Sequence, residues 1–152
     1  MNVCYLSLGS NQKCPERQIR QAIKEIKQIP STSLVKISQL YWNKAWGLKN
    51  QQDFCNVMIE IRTILSPTVL LKWCKKIESK HKRARKKQWG PRTLDIDIVL
   101  FGSRSVKTKN LTIPHPCFHL RDFVLIPLLE LKPDLPVSNY LKKRGCIHNK
   151  NI

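Results

Sequence analysis

Leu94-Asp95-Ile96-Asp97-Ile98-Val99-Leu100-Phe101 is the run from which the rest of the chain can be organised. Its β-branched and apolar content, ended by Gly102-Ser103, predicts a strand. Alternate residues of a strand face opposite ways, so Leu94, Ile96 and Ile98 go to one face while Asp95 and Asp97 project together from the other. At strand spacing their Cα atoms lie roughly 6.5–7 Å apart. Two carboxylates that close repel one another unless a cation sits between or above them. Just upstream, Trp89-Gly90-Pro91-Arg92-Thr93 closes a basic loop over residues 82–91, with Gly90 and Pro91 shaping a turn.

Further elements appear on working outward. Residues 3–8 predict a strand ended by the turn signal Gly9-Ser10-Asn11. Pro15 suits the first turn of a helix, and Ile19, Ala22, Ile23 and Ile26 form one apolar stripe that Pro30-Ser31 closes. Residues 34–42 predict a strand, with Val35, Ile37 and Gln39 alternating against Lys36 and Ser38. Residues 43–52 read as a loop. Residues 54–63 alternate again, Val57, Ile59 and Ile61 opposed by Asn56, Met58, Glu60 and Arg62. Ser66-Pro67 is a helix start, and Leu70, Cys74, Ile77 and His81 continue one face of that helix. The order β-α-β-β-α-β implies an α+β fold, an antiparallel four-stranded sheet with two helices on one face. Residues 104–152 would add a C-terminal extension: a Pro-rich loop, Ile113-Pro114-His115-Pro116, a short helix over 123–131, and a polar tail over 142–152. With no repeat and no linker, residues 1–152 are expected to be one domain.

Composition narrows the class. Of 152 residues, 41% are hydrophobic and 25% charged, with five Gly and nine Pro, which excludes collagen-like, low-complexity and disordered chains. No apolar run approaches the ~20 residues that span a bilayer, and Met1-Asn2-Val3 lacks a basic leader region, so a cytoplasmic protein with no membrane partner is expected. The net charge of +18 suits nucleic acid, a membrane surface or a phosphorylated small molecule. Nineteen of the 28 cations are Lys, beside 15 Ile and 9 Asn, a mixture that AT-rich codons supply, so position decides more than the total. Nine basic residues fall between Lys72 and Lys87 against one acid, Glu78, which gives the charge a centre. The six cysteines form no C-x-x-C pair, and His115, Cys117 and His119 are the nearest approach to a zinc set; reduced, mostly buried thiols are expected.

Mg²⁺ takes one or two carboxylates together with phosphate oxygens, so Asp95 and Asp97 beside Arg83, Arg85 and Arg92 fit metal–nucleotide binding. The alternative is a set of structural ion pairs with Arg92 or Arg85. Arg binds phosphate through a planar fork, whereas the surrounding Lys act as diffuse charge. His115 and Arg121 could add phosphate donors from the later loop. A second cluster, Asn43-Lys44-Ala45-Trp46-Gly47 with Phe54 and Asn56, could clamp a flat heterocycle, the amide reading its hydrogen-bonding edge. Core or lid packing would account for the same aromatics.

The chain resembles the 6-hydroxymethyl-7,8-dihydropterin pyrophosphokinase family of folate biosynthesis over residues 3–131. The segments that carry the resemblance are Tyr5-Leu6-Ser7-Leu8-Gly9-Ser10-Asn11, Asp53-Phe54-Cys55-Asn56, Gly90-Pro91-Arg92-Thr93-Leu94-Asp95-Ile96-Asp97-Ile98, Pro114-His115-Pro116 and Arg121-Asp122-Phe123. The resemblance implies a ferredoxin-like core and transfer of pyrophosphate from ATP to the pterin hydroxymethyl group, leaving AMP. It implies two Mg²⁺ ions held by Asp95 and Asp97, and a loop carrying Arg83 and Arg85 that closes over ATP with Trp89 sealing it. Arg92, His115 and Arg121 would contact phosphates, and Glu78, Ile98 and Thr112 would line the nucleotide site. Phe54 and Phe123 would sandwich the pterin, with Asn56 and Asp95 on its edge and Asn43, Ala45 and Trp46 adding loop contacts. The implied enzyme acts on small molecules; a monomer with no specific nucleic-acid partner is expected. Departures fall at Asn43-Lys44-Ala45, where the family usually reads Thr-x-Pro, at Gln88, where a basic residue often stands, and at Lys75 and Asn110, where some members carry Gln and Arg.

Two rivals come from other classes. A basic βαββαβ sheet is also an RNA-recognition architecture, but that module stacks bases on central-strand aromatics, and residues 56–63 hold none. A domain that binds Mg·ATP without turnover is the other.

Overall fold

The two longest alternating runs become the two central strands of a sheet. In a computed structural model, which describes residues 1–12, 14–43, 53–82 and 94–138, β1 (Asn2–Ser10) and β4 (Phe54–Thr63) pair antiparallel from Asn2 opposite Thr63 to Ser10 opposite Cys55. β5 (Asp95–Phe101) adds antiparallel to β1 and β2 (Thr32–Ile37) to β4, giving the order β2-β4-β1-β5. A three-residue strand, β3 (Tyr41–Asn43), pairs with β4 beyond β2 and makes the sheet five-stranded. The fold is α+β.

Two helices cover one face. In α1 (Pro15–Lys27) the stripe Ile19, Ala22, Ile23 and Ile26 is buried, Pro15 stands at the start, and Glu16 and Lys24/Lys27 complement the helix dipole. Ser31, with φ at 56°, turns the chain from α1 into β2. In α2 (Pro67–Lys82) the Ser66 hydroxyl accepts the Val69 N–H at 3.3 Å, and Leu70, Cys74 and Ile77 face the sheet. These helices and the inner sides of β1, β4 and β5 enclose the larger core, including Leu6, Leu8, Ile59, Ile96, Ile98 and Phe101.

The other face is covered as well, which the sequence reading did not anticipate. Met58 and Glu60, read as the polar side of their strand, are buried, because α3 (Asp122–Leu131) and a 3-10 turn at Phe118–Leu120 pack there over Tyr5, Met58, Val99 and Leu100. Within this second core the Tyr5 hydroxyl donates to Glu60 Oε1 at 2.8 Å.

The strand read as residues 34–42 is broken. Ser38 Oγ accepts the Met58 N–H at 2.9 Å, and Gln39 turns its N–H away from the sheet to the carboxylate of Glu130 on α3. A register shift after Leu34 also changes which residues face inward. Leu34 packs against the core, while Val35 and Ile37 are exposed. Residues 104–113, given no element in the sequence reading, contain the two-residue strands β6 (Val106–Lys107) and β7 (Thr112–Ile113), paired as a hairpin. The expected helix over 123–131 is α3. The tail over 142–152 lies outside the described residues. Among the described residues no helix is long and apolar enough to cross a membrane.

Candidate active site

Strand registry brings the site together. Across the sheet Asn56 on β4, Gly9 on β1 and Asp95 on β5 are direct neighbours in one row, and Met58, Ser7 and Asp97 form the next. At a strand spacing of roughly 4.8 Å, Asn56 and Asp95 stand roughly 10 Å apart at the backbone. Gly9 between them carries no side chain, so the row is a polar slot with a flat backbone floor. Over it lies a cavity of about 350 Å³ lined by Ser7, Gly9, Asn43, Phe54, Asn56, Asp95, Asp97, Arg121, Phe123 and Val124. That volume is within the range of small-molecule sites.

Each wall has a local cause. Asp95 and Asp97 reach the cavity because Leu94, Ile96 and Ile98 are committed to the helix-side core, all of them buried. Phe123 and Val124 are placed by the first turn of α3, whose Val124 and Leu125 N–H groups bond the Arg121 carbonyl at 2.9 and 2.8 Å. Asn56 turns its amide nitrogen toward β3, donating to the Tyr41 carbonyl at 3.2 Å and to Asn43 Oδ1. Its Oδ1 is thereby aimed at the Gly9 floor. The site presents an amide acceptor and two carboxylates on one side and aromatic faces on another, with Arg121 at the rim. Such a lining suits a flat heterocycle bearing N–H donors, next to a charged group.

His115 and Thr112 flank this arrangement without lining the cavity. β5 bulges at Val99, since Tyr5 pairs with Leu100 and Leu6 with Ile98, and the Val99 carbonyl accepts the His115 N–H at 3.0 Å. The bulge therefore ties the loop after β7, which carries Thr112, to the strand bearing Asp97. Glu78 and Ile98 lie on the helix side of the sheet, both buried. Glu78 Oε2 accepts the Ile96 N–H at 2.7 Å, and its Oε1 stands 3.3 Å from Lys75 Nζ. Of the sequence candidates, the structure thus gathers Asn43, Phe54, Asn56, Asp95, Asp97, Arg121 and Phe123 around one cavity. Arg83, Arg85, Trp89 and Arg92, with Ala45 and Trp46, lie outside the described residues.

Ser7, Gly9 and Val124 line the cavity although the sequence reading gave them no role. Gly9, read from sequence as part of the turn ending its strand, lies within β1 and pairs on both sides, and a Gly inside a strand marks a close approach. No group of three His, Cys, Asp or Glu is poised to hold a metal among the described residues. The donor set at the cavity is instead two hard carboxylates side by side, which matches what Mg²⁺ takes from a protein when phosphate oxygens complete its shell. Cys4, Cys55 and Cys74 are buried, and burial pushes their thiols up to about 12, 11 and 12.

Known proteins resemble this chain over most of its length. A family model described as 7,8-dihydro-6-hydroxymethylpterin-pyrophosphokinase (HPPK) matches residues 5–133. Three relatives are named 2-amino-4-hydroxy-6-hydroxymethyldihydropteridine pyrophosphokinase. The Haemophilus influenzae protein is 42% identical over 91% of this chain and 87% of its own length. The Bacillus subtilis protein is 39% identical over 86% and 78%, and the Aquifex aeolicus protein 40% over 93% and 88%. Among solved structures, a Plasmodium falciparum HPPK-DHPS superposes with a TM-score of 0.68 at 16% identity over 99% of this chain. An HPPK-DHPS crystallised with substrates gives 0.69 at 13% over 93%. The chain spans 46% and 43% of those two longer chains, and at such identity the likeness is one of fold.

Proposed function

We infer what the chain does from the family it belongs to, the 7,8-dihydro-6-hydroxymethylpterin-pyrophosphokinases, and from the cavity built over Gly9. It transfers the β,γ-diphosphoryl group of ATP to the hydroxymethyl oxygen of 6-hydroxymethyl-7,8-dihydropterin, giving the pterin diphosphate and AMP, a step of folate biosynthesis. The bond between the hydroxymethyl oxygen and the β phosphorus forms as the bond from that phosphorus to the α–β bridging oxygen breaks. The bridging oxygen leaves on AMP, and the hydroxyl proton is released. Such a transfer asks for positioning and charge neutralisation more than for covalent help from the protein.

The observation that carries this reading is the single row Asn56–Gly9–Asp95, which offers one flat slot with a carboxylate at the end where phosphates would arrive. The pterin lies over Gly9 between Phe54 and Phe123, its N–H edge on Asn56 Oδ1, with Asn43, Ala45 and Trp46 closing that end. Asp95 and Asp97 would hold two Mg²⁺ ions, which when bound neutralise the phosphate oxygens and make the hydroxyl more acidic. Arg121 and His115 bind phosphate oxygens, and Arg83, Arg85 and Arg92 add forks from the basic loop, with Trp89 sealing it.

Glu78, Ile98 and Thr112 belong to the nucleotide end. Because the Ile96 N–H points to Glu78 at the outer edge of β5, strand alternation turns the Ile98 backbone to the same edge, so a residue with a buried side chain still offers main-chain contacts. The order β2-β4-β1-β5 with its crossing helices supports the ferredoxin-like description, with Arg121, Phe123 and Val124 of the extension over 104–152 walling the cavity. We take the enzyme to be a single-domain cytoplasmic monomer.

The test is AMP release with ATP, Mg²⁺ and the dihydropterin, against controls lacking pterin or containing EDTA. AMP formed only when pterin and metal are both present is expected. If Mg·ATP binds and no AMP appears, the chain is a nucleotide-binding domain without transfer.

A further inference from the structure

Glu130 lies near the C-terminal end of α3, beyond the cavity lining, yet its carboxylate is the meeting point of three contacts from one short segment. Both oxygens accept the Gln39 backbone N–H, at 3.1 and 3.2 Å, and Oε1 accepts the Tyr41 hydroxyl at 2.8 Å. In a chain with 28 Lys and Arg against ten acids, no Lys or Arg ion pair to this carboxylate occurs among the described residues. The charge is given to a main-chain N–H and a phenol, which are charge-assisted hydrogen bonds with a defined geometry. The Tyr41 hydroxyl is raised above its usual pKa, by that bond first and by burial second, so it remains a donor throughout the neutral range.

Apart from Leu40, which packs against the larger core, the held segment rests on a short strand. β3 is three residues long and pairs with β4 alone among the described strands, and its middle residue, Trp42, is 52% exposed. Its last residue, Asn43, lines the cavity, and the amide of Asn56 hangs on it through Asn43 Oδ1 and the Tyr41 carbonyl. The opposite wall, Phe123 and Val124, belongs to the same helix as Glu130. One carboxylate therefore ties the strand that orients Asn56 to the helix that carries the facing aromatic.

We propose that Glu130 is a positioning residue for the pterin: by holding Gln39 and Tyr41 against α3 it sets the separation and register of the Asn43–Asn56 wall and the Phe123 wall. This rests on the activity inferred above and extends it to a residue that touches no substrate. Of the phosphate end, Asp95, Asp97 and His115 stand on β5 and the loop bonded to it, outside the tie, while Arg121 caps the far end of α3, nine positions from Glu130.

Steady-state kinetics of Glu130→Ala, Glu130→Gln and Tyr41→Phe test it, with amide exchange measured on the same proteins. Glu130→Ala should raise the KM for pterin about tenfold, the scale of one charge-assisted contact, with the KM for ATP within about twofold. Exchange should quicken over residues 39–43. Glu130→Gln keeps an oxygen acceptor and should recover most of the loss. Tyr41→Phe should cost less than Glu130→Ala, and the two together no more than Glu130→Ala alone. An unchanged pterin KM, or equal rises in both KM values, would overturn the proposal, since a general loss of structure does not choose between substrates. Should the wild type form no AMP, the activity falls separately. Pterin affinity measured by calorimetry then decides the clamp: weakening in Glu130→Ala sustains it, and equal affinity ends it.

Discussion

Gly9 and Asn56 oppose one another across β1 and β4 so closely that a Cβ on Gly9 would stand 3.0 Å from Asn56 Oδ1. The amide has nowhere inexpensive to go, because its nitrogen is already bonded to β3 at Tyr41 and Asn43. The missing side chain and the fixed amide make one device, which leaves the slot floor bare and aims an acceptor across it.

Gly9→Ala is therefore expected to separate stability from activity. Ala in a strand interior is ordinarily favourable over Gly by about 0.4–1 kcal/mol, and crowding of its Cβ against the Asn56 amide opposes that gain, so the denaturation midpoint should shift only slightly. The KM for pterin should rise about tenfold, by analogy with the loss of a well-placed substrate hydrogen bond. Thermal melts beside kinetics check this, and a variant with wild-type pterin KM would show that the floor is not where the ring lies.

Asp97 tests the acidic end. Asp97→Ala and Asp97→Asn should each lower turnover by about 10²–10³-fold or more, the scale on which removal of one transition-state charge partner is felt. Folding should be preserved, because the side chain is exposed in the row Met58–Ser7–Asp97 rather than built into either core. The Mg²⁺ concentration giving half-maximal rate should rise as well in any residual activity. Turnover equal to wild type would remove Asp97 from the metal assignment.

In the second core the Tyr5–Glu60 contact is a stability element. Tyr5→Phe leaves a buried carboxylate oxygen without its donor, which costs about 1–3 kcal/mol. The loss should appear in urea denaturation, with KM values for both substrates unmoved because neither residue lines the cavity. A midpoint identical to wild type would mean that the hydroxyl contributes nothing to the fold.

The buried thiols give a pH dependence with a definite sign. Cys4, Cys55 and Cys74 stand at about 12, 11 and 12 in the folded chain against 9.0 for an ordinary thiol, with burial as the largest cause. The folded state holds these protons more tightly than the unfolded state does, so the contribution is full below pH 9 and fades as pH climbs toward 11–12. Urea midpoints at pH 8 and pH 10.5 should differ, the higher pH being the less stable, and a level profile would count against deep burial. Native alkylation should reach exposed Cys14 and spare these three.

Periodic elements were legible from sequence because their cause is local. The stripe of α1, the start of α2 at Ser66-Pro67 and the paired aspartates of β5 all follow from spacing along one segment. Most of the departures are tertiary. Nothing within residues 34–42 announces that the Gln39 N–H will leave the strand for a carboxylate 91 positions later, or that Met58 will bond the Ser38 hydroxyl. Met58 and Glu60 alternate as a solvent face would, and only the docking of α3 makes them interior. The two-residue strands β6 and β7 are too short to show a period at all. For the site, residue chemistry pointed to the two acids, the aromatics and Asn56, whereas Gly9 acquires its role from what stands either side of it in neighbouring strands.

The covering of the second face by α3 has a consequence for the life of the chain on the ribosome. β1, β4 and β5 all precede α3 in the order of synthesis, so a nascent chain can assemble its sheet and helix-side core while Tyr5, Met58, Val99 and Leu100 remain bare. The cavity over Gly9 is not walled at that stage, because Phe123 and Val124 have yet to emerge. A message that ended early, after residue 101, would yield a sheet with one sticky face and no activity. Such a product is a client for chaperones and proteases rather than a weakened enzyme.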